Sequence, residues 1–68
     1  MWTIEVYSIP GGENGAFVQC MQLYKDGVHI EWRQSKYGCV EYAEAEAQAI
    51  WPFAATVNGM AIEPPQRI

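Results

Sequence analysis

His29 is the only histidine in the chain and stands two residues from Glu31, so an imidazole with a carboxylate neighbour could serve as a general base. It has no nucleophile to activate, because Ser8 and Ser35 lie in stretches without a nucleophile motif. An exposed sheet residue is the simpler reading of His29. Cys20 and Cys39 together with His29 would make three ligands for zinc, but there is neither a Cys-x-x-Cys pair nor a second histidine. Two cysteines are also too few for a secreted disulfide framework, so both thiols are expected to be free and no metal to be bound. Pro10-Gly11-Gly12-Glu13-Asn14-Gly15 is glycine-rich like a phosphate-binding loop, yet no Lys-Ser/Thr follows it and no helix pattern begins after it. The chain is therefore read as a non-enzyme with no catalytic residue and no cofactor.

Recognition chemistry is better represented than reaction chemistry. Aromatic residues make up 13% of the chain, and Trp2, Phe17 and Trp32 are assigned to the core, which leaves Tyr7, Tyr24, Tyr37, Tyr42, Trp51 and Phe53 too many to fit beneath one helix. Tyr7 and Tyr24, with His29 and Arg33, are expected on one sheet face, the side away from the helix. Tyrosine and arginine are residue types that dominate binding energy at interfaces. Glu41, Glu44 and Glu46 form an acidic flank near the start of a helix, where they suit the positive end of its dipole. Glu41 and Glu44 would meet a basic surface on a protein partner. The candidate partner-binding set is thus Tyr7, Tyr24, His29, Arg33, Glu41 and Glu44.

The elements that must position these residues follow from periodicity. Trp2, Ile4 and Val6 alternate with Thr3, Glu5 and Tyr7, the period of a half-buried strand. Phe17 to Tyr24 and Val28 to Arg33 flank Lys25-Asp26-Gly27, a hairpin signal. In the third strand Val28, Ile30 and Trp32 are expected to face the core and His29, Glu31 and Arg33 to face outward. A two-residue Asp26-Gly27 turn then sets Leu23 opposite Ile30 and Met21 opposite Trp32, burying Phe17, Met21 and Leu23, and puts Cys20 across from Arg33, whose charge would favour a thiolate. A three-residue turn with a bulge at Gly27 would instead bring Tyr24, Gln22 and Cys20 to the core side.

Beyond Gly38 the period changes. Val40, Ala43, Ala47, Ile50, Ala54 and Val57 recur at three- and four-residue spacing, which predicts an amphipathic helix whose alanines let it lie close to the sheet. Pro52 predicts a kink, or a helix to about Ile50 followed by a short turn. Asn58-Gly59 reads as a helix stop, Met60-Ala61-Ile62 as a short edge strand, and 63–68 as an extended tail. The expected fold is one α+β domain with a three- or four-stranded antiparallel sheet and one kinked α-helix packed on one face.

With 68 residues the chain needs nearly all its apolar groups for folding. Its net charge of −4 opposes the counterion release that drives nucleic-acid binding. No apolar run reaches the roughly 20 residues of a membrane span, and Met1-Trp2-Thr3-Ile4-Glu5 lacks the basic start of a signal peptide, so a cytoplasmic location is expected.

Three strands followed by a helix containing Tyr42-Ala43-Glu44-Ala45-Glu46-Ala47 resemble the small DNA-binding arm domains of phage-type integrases. Ser35-Lys36 before an alanine-rich helix is similar to the end of double-stranded-RNA-binding domains. The basic residues those families carry on the sheet or at the helix start are missing here, and no family is assigned. Elimination points to a protein-protein interaction module, of the kind a mobile element could use to block a host nucleic-acid-processing protein. A nucleic-acid-binding domain of integrase-arm type is the alternative, and an enzyme or metal-binding protein stands third. A homodimer through the open sheet face is a further expectation.

Overall fold

The computed structural model describes residues 1–62, and the tail expected over 63–68 lies outside the described residues. The period-two stretch forms β1 (Trp2–Pro10), which buries Ile4 and Val6 on one side. A 3-10 turn over Glu13–Gly15 leads into β2 (Phe17–Lys25), antiparallel to β1 with Ile4 opposite Leu23 and Val6 opposite Met21. Asp26 and Gly27 then reverse the chain into β3 (Val28–Gln34). Their φ angles of 50° and 82° are the left-handed pair that a two-residue hairpin with the native strand twist requires. Asp26 donates its backbone N–H to the carbonyl of Met1, and its carboxylate meets the chain-terminal ammonium. The hydrogen bond and charge of that ammonium hold the Asp26 carboxyl below its ordinary range.

The hairpin begins in the expected register, Lys25 with Val28 and Tyr24 with His29, and then departs from it. Between Leu23 and Tyr24 the ladder slips, so that Leu23 faces Glu31, Gln22 faces Trp32 and Met21 faces Arg33. Ile30 is the extra residue of a β-bulge, without a partner of its own. Because side chains alternate with period two, one inserted residue exchanges the faces of everything beyond it. The expected burial of Val28, Ile30 and Trp32 is corrected: they are 62%, 49% and 47% exposed. Trp32 is so because the bulge turns it to the other face. Val28, ahead of the bulge and unchanged in face, is so because it lies on the edge strand while the helix packs on β1 and β2. Cys20 lies across from Gln34 rather than Arg33.

Helix α1 (Val40–Ile50) packs on β1 and β2 through Ala43 and Ala47, both fully buried. It is not kinked. The residue before a proline is pushed out of helical space by the pyrrolidine ring, and Trp51 takes φ −122°, ψ 68°, ending the helix one residue before Pro52. A turn at Pro52 and Phe53 follows, with Ala54 N–H donating to the Trp51 carbonyl at 3.2 Å. Ala54 and Val57 continue the helical period in the sequence and reach the core, but from outside the helix.

Val57 belongs to β4 (Thr56–Val57), which pairs with β1 in parallel, Thr3 with Thr56 and Ile4 with Val57. The parallel step has a topological cause. The β1-β2-β3 meander leaves β3 running in the direction of β1, and a helical crossover from β3 delivers the next strand in that same direction. Asn58 and Gly59, with φ 50° and 80°, form the turn of a second hairpin to β5 (Met60–Ala61), not a helix stop. The Asn58 side chain accepts from Val6 N–H at 2.8 Å and donates to Glu44 Oε2 at 3.1 Å, tying β1, the turn and the helix together. The expected three- or four-stranded antiparallel sheet is thus a five-stranded mixed sheet of order β3-β2-β1-β4-β5.

The core comprises Ile4, Val6, Met21 and Leu23 from the sheet, Ala43 and Ala47 from the helix, and Trp51, Ala54 and Val57, with Trp2, Ile50 and Ile62 at its margin. Trp51, expected among the surplus aromatics, is 3% exposed, whereas Phe17, expected in the core, is 59% exposed. An 11-residue helix is about 16 Å long against about 30 Å for β1 and β2, so it cannot cover the end where Phe17 faces Pro10. Toward that end the helix side of the sheet is polar. Ser8 Oγ donates to Gln19 Oε1 at 2.6 Å, and Gln19 Nε2 donates to the Gly38 carbonyl. No helix among the described residues is long and apolar enough to cross a membrane.

Candidate functional site

β1 directs Thr3, Glu5, Tyr7 and Ile9 away from the helix, and the antiparallel register places Tyr24, Gln22, Cys20 and Val18 of β2 on that same side. β3 adds His29, Trp32 and Gln34. No described helix or strand is laid over this outer face, since α1 and the core lie on the other. The Tyr24 and His29 rings meet edge to face with centroids 5.4 Å apart. Trp32 Nε1–H donates to Tyr7 OH at 3.1 Å, a bond that joins β3 to β1 across the top of β2. Cys20, directly opposite Tyr7 on β2, is fully buried beneath that span.

The six residues expected to bind a partner are not gathered in one place. Tyr7, Tyr24 and His29 share the outer face. Arg33 does not, because the bulge turns it to the helix side opposite Met21, where its Nε–H donates to Glu31. Glu41 and Glu44 ride on the helix, in the other layer. Glu41 is exposed, while Glu44 accepts from Asn58. Glu46 is engaged as well, accepting from Ser35 Oγ at 2.6 Å and Lys36 N–H at 3.3 Å. The residue missed in the sequence is Trp32, which replaces Arg33 on the aromatic face. Only the surplus of large aromatics over the area beneath one helix hinted at it.

Two other features are open to solvent. Tyr37 and Tyr42 meet edge to face at 5.6 Å beside Lys36, whose Nζ lies 5.3 Å from the Tyr37 ring. They line an open groove of about 450 Å3 floored by Ala45 and Ala49. The thiols are in different layers, Cys20 on the outer face and Cys39 exposed at the helix N-cap, and both are free. Among the described residues no three of His, Cys, Asp and Glu are grouped to hold a metal ion.

The span over Cys20 has a measurable consequence. In native protein a thiol reagent should modify Cys39 quickly and Cys20 only through local opening. In denaturant two thiols per chain should react alike, and Trp32→Ala should speed the slow native phase at least about tenfold. Equal rates for the two cysteines in native wild type would refute the covering of Cys20.

Comparison with protein-family models, with curated proteins and with solved structures finds no match.

Proposed function

We propose that this protein is a non-enzymatic interaction module that docks a protein partner on the outer sheet face. The observation carrying this reading is that Tyr7, Tyr24, His29 and Trp32 stand together on the face away from the helix, with none of the described elements over them. A sheet face turned to water normally carries polar residues, and an aromatic one is the composition of an interface centre. The net charge of −4 favours a partner with a basic surface. A nucleic-acid-processing protein held in check by this module has such a surface.

Affinity capture with face variants tests the proposal. Tyr24→Ala and Trp32→Ala should weaken capture of a specific partner at least about tenfold, as loss of aromatic hot spots does. Their melting temperatures should stay within a few degrees of wild type. Tyr42→Ala, on the helix layer, should bind as wild type does. Capture unaffected by the face variants, or retention on heparin lost in moderate salt, would overturn the reading in favour of another surface or of nucleic acid.

A further inference from the structure

β3 ends the sheet, and its outer edge is paired with no described strand. Ser35 N–H donates to the Gln19 carbonyl on β2 at 2.8 Å, so alternation along the strand directs the backbone groups of Arg33 to β2 and those of Trp32 and Gln34 to the free edge. Natural edges are commonly guarded by lysine, proline, a bulge or like charges. The bulge at Ile30 guards only the start of β3, and Glu31 to Gln34 contains neither lysine nor proline. The two charges there have opposite signs.

We infer that β3 pairs antiparallel with β3 of a second copy about a two-fold axis through Trp32. The choice of occupant and register rests on charge complementarity. An axis through Trp32 sets Glu31 opposite the partner's Arg33 and Arg33 opposite the partner's Glu31. An axis through Glu31 or Arg33 would set like charges face to face. The Trp32 axis also makes the two Trp32 residues a hydrogen-bonded pair, each N–H donating to the other's carbonyl, while each indole stays over its own β2 on the outer face, bonded to Tyr7. Both helices then lie on one side of a continuous sheet. The other edge, β5, has two residues and offers no comparable template, so the contact is isologous and closes as a dimer. This inference concerns the strand edge and is independent of which partner occupies the face.

Sedimentation equilibrium across a concentration series tests it. Wild type should reach twice the chain mass. Glu31→Arg alone and Arg33→Glu alone should each remain folded by circular dichroism and weaken self-association at least about tenfold, since each sets like charges opposite one another. An equimolar mixture of the two should recover association to within about threefold of wild type, because the doubly positive edge of one meets the doubly negative edge of the other. Three results would overturn the inference: wild type monomeric up to about 0.5 mM, single variants that associate like wild type, or a mixture that stays monomeric. The mass readout is separate from partner capture, so either proposal can fail alone.

Discussion

Trp51→Ala is expected to leave the chain without a cooperative unfolding transition at room temperature. Trp51 is 3% exposed and completes the core just beyond the helix end, beside Ala47, Ala54 and Val57 in the same cluster. Truncating a buried tryptophan costs about 3–5 kcal/mol in lost transfer energy and cavity. A single core in a chain this short rarely supplies more than about 3–5 kcal/mol. The two quantities are equal, so little folded population remains. Trp32→Ala provides the contrast, because its side chain is 47% exposed and outside the core, and the variant should unfold cooperatively with a midpoint near wild type. Urea titration followed by far-ultraviolet circular dichroism checks both. A native-like midpoint for Trp51→Ala would mean that the core closes around the cavity.

The second large effect is expected from adding volume. Ala43 and Ala47 are fully buried where the helix approaches the sheet, and their small side chains set the distance between the layers. Ala47→Leu adds three carbons where the helix meets Ile4, Val6, Met21 and Leu23, and should cost about 2–3 kcal/mol through displaced backbone and strained rotamers. Ala45→Leu and Ala49→Leu make the same change on the same helix at exposed positions. Leucine and alanine differ little in helix propensity, so these should stay within about 0.5 kcal/mol of wild type. The midpoint difference between Ala47→Leu and Ala49→Leu measures packing alone. Equal midpoints would show that the helix floats on the sheet.

The aromatic face was partly legible because β1 anchors it. Trp2, Ile4 and Val6 alternate without interruption, and once they face the helix, Tyr7 must face away. Tyr24 and His29 follow through the Asp26-Gly27 turn, whose geometry is local and starts the expected register. Arg33 and Trp32 lie beyond Ile30, where a single inserted residue reverses the alternation. The pattern Val28, Ile30, Trp32 against His29, Glu31, Arg33 argues for the opposite assignment. Local alternation cannot weigh that preference against the alternative in which Trp32 spans β2 to reach Tyr7.

Short-range physics controls the features legible in the chain: an α+β class, three strands at their places, the first hairpin turn, the inner face of β1, and a helix whose alanines meet the sheet. Tertiary structure decided what depends on competition between distant segments. Trp51 and Trp32 are equally apolar residues, but the area beneath an 11-residue helix accommodates only part of the aromatic content, and Pro52 turns Trp51 into that space. Asn58-Gly59 serves equally as a helix stop or as a hairpin turn. It becomes the latter because the crossover from β3 lays Thr56 and Val57 beside β1, where the Asn58 amide meets Val6 N–H. Such choices are free energies of whole arrangements, set by backbone groups that must all find partners and by one core that must be filled once.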